Sequence, residues 1–188
     1  MKPRQKLLIL IAAGVIAFDG FVLVQAQPGG QDSSKTPKPC LEIAKLGYFI
    51  GTWQNSGEVK ATEYGPAGKL SGTNRREWIL GGFAQLLHHE EKNPSGNHTS
   101  VSIVGYDPEK KVYRSYSFGE GGHVSESEGI LEGDTWIWTG GFEMNGVRVK
   151  TRSVITPRSS TSYDWKWQAA RPDSDWLTVQ EGTSTKTQ

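Results

Sequence analysis

From residue 51 onward the chain alternates apolar and polar positions with a period of two, in short segments broken by turn residues. Val101 and Ile103 share one face of their segment, and Ser100 and Ser102 the other. Trp136 and Trp138 share a face against Ile137, and Tyr163, Trp165 and Trp167 share one against Asp164, Lys166 and Gln168. Side chains on a strand point alternately to opposite faces, so each set marks one surface of a sheet. The pattern predicts ten strands: 51–59, 71–80, 83–91, 99–106, 112–118, 123–131, 135–143, 147–156, 162–169 and 176–184. Between them stand Gly81-Gly82, Asp107-Pro108, Gly133-Asp134, Asn145-Gly146 and other turn signals, and Asn145-Gly146 suits a type I′ hairpin. Such short connections pair sequence neighbours in space. An open sheet of this size leaves two edges, and closing it removes both. The expected fold is therefore all-β: a closed antiparallel up-and-down β-barrel of about ten strands, with a short N-terminal helix over 41–49.

The first forty residues differ. Lys2, Arg4 and Lys6 precede an apolar run from Leu7 to Phe18, which Asp19 ends, and Val24-Gln25-Ala26 offers small residues for cleavage. A spanning helix needs about 20 apolar residues, so the run reads as a signal peptide over 1–26 rather than an anchor. Residues 27–40 are rich in Pro, Gly, Ser and Lys and read as a flexible linker. The barrel domain then spans 41–188, and the mature protein is expected to be exported, periplasmic or secreted, with no stable membrane span after cleavage. Cys40 is the single cysteine, which rules out an intramolecular disulfide, and Lys38-Pro39 before it do not fit a lipid-attachment signal.

Net charge is +1 and no basic run alternates with aromatics, which argues against a nucleic-acid partner. The chain carries 7 Trp and 23 Gly, and the alternation turns most of the aromatic rings to one side. Trp53, Trp136, Trp138, Tyr163, Trp165, Trp167 and Trp176 are candidates to line the lumen.

Three motifs carry a resemblance. Ile50-Gly51-Thr52-Trp53, then Glu77-Trp78-Ile79-Leu80-Gly81-Gly82 with Ala84, then Gly105-Tyr106-Asp107, occur in the order seen in an exported bacterial lipocalin-like domain family of unknown function, over about residues 41–185. The resemblance implies a calycin-type barrel and no established activity. The Gly-Thr-Trp opening is also similar to that of nitrobindin and the fatty-acid-binding barrels. Haem in nitrobindin depends on a histidine from the late strands, whereas His88, His89, His98 and His123 all precede residue 140. No haem, metal or other cofactor is expected.

Candidate chemistry is sparse. His88-His89-Glu90-Glu91 reads as a surface charge cluster: His88 falls with Glu90 on one face and His89 with Glu91 on the other, short of the three or four donors of a zinc site. Glu126 and Glu128 share a face and read as rim or solvent groups paired with a neighbouring cation. Arg75 and Arg76 fall on opposite faces, and either could meet an acidic head group. No catalytic motif is recognisable. The reading is an exported binding protein, without catalysis, that holds a small apolar or amphipathic molecule. The expected ligand-binding residues are Trp53, Arg75, Arg76, Trp136, Trp138, Trp165 and Trp167. The alternatives are an enzyme at the barrel mouth using a carboxylate/Arg site, and a solid-barrel interaction module.

Overall fold

A computed structural model describes residues 37–187. The signal peptide expected over 1–26, and the linker before residue 37, lie outside the described residues. The fold begins with a short helix, α1 (Leu41–Lys45), which carries Glu42 in its first turn and Lys45 in its last, each sign complementing the helix dipole. The helix tightens into a 3-10 turn over Leu46–Phe49. Ile43, Leu46 and Phe49 recur every three residues and are all buried, so this segment turns one face into the barrel as a plug.

Ten strands follow: β1 (Gly51–Val59), β2 (Gly68–Ile79), β3 (Ala84–Asn93), β4 (Gly96–Asp107), β5 (Val112–Gly119), β6 (Val124–Glu132), β7 (Thr135–Met144), β8 (Val147–Ser159), β9 (Ser162–Ala170) and β10 (Leu177–Lys186). Each pairs antiparallel with its sequence neighbours, and β1 closes on β10 with Trp53 opposite Lys186 and Val59 opposite Gln180. The expected closed up-and-down barrel of ten strands with a short N-terminal helix is the observed architecture. Asn145 and Gly146 take φ of 52° and 74°, as a type I′ turn demands. Gly51 stands at φ 109° where the plug turns into β1, and a side chain there would meet Lys186 Cε at 3.0 Å. That explains the glycine of the Gly-Thr-Trp opening.

The plug is held by hydrogen bonds as well as packing. The last carbonyls of a helix lack intrahelical partners. Here Trp53 Nε1 donates to the Phe49 carbonyl at 2.9 Å, Gln85 Nε2 to that of Leu46 at 2.8 Å, and the Tyr113 hydroxyl to that of Glu42 at 2.9 Å. The Tyr48 hydroxyl stands 2.9 Å from both the Ser159 and Ser162 carbonyl oxygens at the β8–β9 turn, which share its single proton. Ile43, Leu46, Phe49, Trp53, Val104, Tyr113, Trp136 and Tyr163 form the buried cluster that seals this end.

Away from the plug, strands β4 to β6 reverse the usual allocation. Inward positions hold Ser102, Ser115, Ser117, Ser125 and Ser127, paired across the strands, and Ser102 Oγ donates to Ser117 Oγ at 2.9 Å. Outward positions hold Val101, Ile103, Tyr116, Phe118 and Val124, all exposed. The register sets Val101 opposite Phe118 and Phe118 opposite Val124, so these side chains form one apolar panel on the outer wall.

Trp176, a candidate for the lumen, belongs outside it. The loop after β9 runs through Trp176 before β10 begins at Leu177, and the Arg152 guanidinium lies 4.5 Å over the indole. Arg152 faces outward on β8, opposite Gln168, so the ring is held on the outer wall by a cation–π contact.

Candidate functional site

A cavity of about 360 Å³ opens in the half of the barrel away from the plug's tightest packing. Its two walls differ. Strands β8 and β9 contribute Ser153, Ile155, Tyr163, Trp165 and Trp167. Strands β1, β2, β3 and β10 contribute Asn55, Asn74, His89, Glu91, Gln180 and Ser184. These four strands are consecutive around the barrel, so the polar groups form one continuous wall, which adjoins the aromatic one where Gln180 pairs with Trp167.

Backbone glycines seat the aromatic wall. Gly182 on β10 is directly opposite Trp165, and a side chain at 182 would meet Trp165 Cζ2 at 2.7 Å. The indole lies over the bare glycine, which is how a large ring packs tightly on a strongly curved sheet. Trp138 lies over Gly129 in the same way.

The polar wall is largely cross-linked. Ser184 Oγ donates to Asn55 Oδ1 at 2.6 Å. His89 Nδ1 stands 2.6 Å from Asn74 Oδ1, and since that oxygen only accepts, the ring donates from Nδ1. Glu91 Oε1 accepts from Asn93 Nδ2 at 2.7 Å and from Gln180 Nε2 at 3.4 Å. Burial lowers the pKa of His89 below that of an ordinary histidine, and Glu91 partly offsets this.

Of the residues expected to hold a ligand, Trp165 and Trp167 line this cavity. Trp138 and Trp167 line a second, smaller one of about 210 Å³ with Ser125 and Ser127. Trp53 and Trp136 are fully packed beneath the plug, where Trp53 lies tilted against Tyr163 and Trp136 meets Phe49 and Tyr113 edge-on. The four tryptophans of β7 and β9 therefore divide between the sealed core and two openings. Arg75 is exposed on the outer face, while Arg76 points inward, its guanidinium carbon 4.8 Å over the Phe49 ring. Arg76 Nη1 is buried with no hydrogen-bond partner among the described residues. Burial pulls the Arg76 pKa below its usual value.

Two charge clusters resolve differently. Glu126 and Glu128 face outward, and Arg114 pairs with both and with Asp107. The expectation of a solvent-facing pair bound to a neighbouring cation fits that geometry. The surface reading of the His88–Glu91 run fails for half of it: His89 and Glu91 line the cavity. The reason is phase. Asn74 opposite His89, and Gly72 opposite Glu91, put both on the face shared with Arg76 and Gln85. The sequence signal for the missed residues was parity: Asn55 follows Trp53 by two, and Asn74 precedes Arg76 by two. Among the described residues no three or more His, Cys, Asp or Glu side chains gather as metal donors, and no helix is long and apolar enough to cross a membrane.

A protein family described as of unknown function (DUF1579) matches residues 38–186, and the chain belongs to it. The fold is similar to the crystal structure of Rv2717c from M. tuberculosis, with a TM-score of 0.58 and 7% sequence identity, over 80% of this chain and 100% of that one. At that identity the likeness concerns the fold. No curated protein matches the chain.

Proposed function

We propose that this barrel is a binding protein for a small amphipathic molecule and that it performs no catalysis. The observation that carries the reading is the two-faced cavity: rings from β9 on one side, amide, imidazole and carboxylate groups on the other. Aromatic side chains offer large apolar area with little rotamer entropy to lose, and a few placed polar groups fix orientation. Trp165 and Trp167 would take the apolar body. Arg76 lies two residues beyond Asn74 on the same face of β2, roughly 7 Å along the strand. It is the inward candidate for an acidic head, and its unpartnered amino group supports that role. Residues 1–26 acting as a signal peptide and 27–40 as a tether would make this an exported, lipocalin-like carrier. The outward apolar panel of β4 to β6 is the feature an interaction module would use, but the cavity favours binding.

The test is native mass spectrometry of the protein purified gently from its own host, followed by tryptophan fluorescence titration with a panel of aromatic and aliphatic acids. A co-purifying small molecule, or a saturable change in emission, is expected. A flat response across the panel and no bound mass overturn the reading.

A further inference from the structure

The polar wall brings two hydrogen-bond acceptors close together. His89 Nε2 and Glu91 Oε2 are 3.8 Å apart, too far for a hydrogen bond. Because Nδ1 donates to Asn74, the neutral ring presents a lone pair at Nε2. Glu91 has its other oxygen occupied by Asn93 and Gln180, and Oε2 receives no hydrogen bond from the described residues. Two acceptors at this spacing, which a bound ligand would cover from water, call for a donor between them. Burial disfavours the charged form of the His89 ring. Trp165 and Trp167 line the same cavity from β9 and suit a flat apolar body.

We infer that the ligand carries a hydroxyl or N–H donor which bridges His89 Nε2 and Glu91 Oε2 while its ring lies against Trp165 and Trp167. The chemical class is a phenol, an indole or an aromatic amine, as opposed to a hydrocarbon or an ether of the same shape. This rests on the proposal that the cavity binds a small amphipathic molecule. A site built to accept a hydrogen bond rejects the analogue that lacks the donor, since that analogue covers the two acceptors without pairing them.

A matched pair of probes tests it: 2-naphthol and 2-methoxynaphthalene, titrated by isothermal calorimetry into the wild-type protein at neutral pH. 2-Naphthol is expected to bind at least tenfold more tightly. Glu91→Gln, which keeps the shape and can donate from its amide, should bring the two affinities within about threefold, chiefly by weakening the naphthol. His89→Gln provides a second variant if the first folds poorly. Equal wild-type affinities for the two probes overturn the inference while leaving the binding function standing. Binding of neither probe, with the acid panel also silent, overturns both. Preference for the naphthol that persists unchanged in Glu91→Gln and His89→Gln overturns the assignment to this pair.

Discussion

The indole N–H of Trp53 donates to the carbonyl of Phe49 at 2.9 Å, and both side chains are completely buried. One bond thus ties the first strand to the plug that closes the barrel. Trp53→Ala is expected to cost about 3–5 kcal/mol through lost burial and the cavity left behind. Trp53→Phe keeps most of the ring but orphans the carbonyl, at about 1–3 kcal/mol. Urea unfolding of the two variants measures both, and wild-type stability of Trp53→Ala would refute the plug's role.

Gly182 is the second fixed point. A Cβ there would lie 2.3 Å from the Ser56 carbonyl oxygen and 2.7 Å from Gly57 Cα, both backbone atoms that cannot step aside cheaply. Gly182→Ala should cost about 1–3 kcal/mol as an overpacked site. It should also push Trp165 off its seat into the cavity. A lower melting temperature together with altered tryptophan emission is expected, and a neutral variant would show that β1 and β10 are more loosely paired than the register implies.

The reversed polarity of β4 to β6 makes a prediction opposite to ordinary core logic. Phe118→Thr and Val101→Thr replace exposed apolar groups and should change stability by only about 0.5 kcal/mol. Leu46→Ala, at a fully buried site, should cost about 2–5 kcal/mol. Chemical denaturation of the three variants compares them, and a large loss at Phe118 would mean that this panel is covered in solution.

Arg76 is half-buried, and its Nη1 is buried with no hydrogen-bond partner among the described residues. Its desolvation is offset in part by the Phe49 ring, so Arg76→Met should be neutral or stabilising by about 1 kcal/mol, while affinity for acidic ligands falls. Thermal melts and acid titrations read the two effects separately. Strong destabilisation would mean that the guanidinium serves the fold rather than a ligand.

His89 links stability to pH. Burial depresses its folded-state pKa below the unfolded value of 6.5, so the unfolded chain binds the proton more readily. The stability from keeping the ring neutral is fully present above about pH 6.5 and is lost as pH falls through the folded pKa. The carboxylates held low by their partners, Glu58, Glu63, Asp107 and Asp164, lose their contribution only at lower pH. Unfolding free energies between pH 7.5 and 5.5 should therefore fall for the wild type and stay flatter for His89→Gln. Parallel slopes would remove His89 as the cause.

The sequence by itself determined the barrel. Strict alternation, turn residues about every ten positions and the Gly-Thr-Trp opening specify ten paired strands, because each side chain's face follows from its parity and each connection is too short to skip a neighbour. The burial of Trp53 and the helical lead-in were legible for the same local reasons. Parity says which residues share a face, but not which face looks inward. Where one face is plainly apolar, as in β9 with Tyr163, Trp165 and Trp167, the choice is legible. In β4 to β6, away from the core residues Val104 and Tyr113, apolar residues face out and serines face in, and in β3 both faces carry a histidine and a glutamate, so composition gives no guide. Only closure of the sheet, which fixes every strand's phase to its neighbours through the register, decided that His89, Glu91 and Asn74 meet Trp165 and Trp167 across one cavity, and that Arg76 rather than Arg75 stands inside.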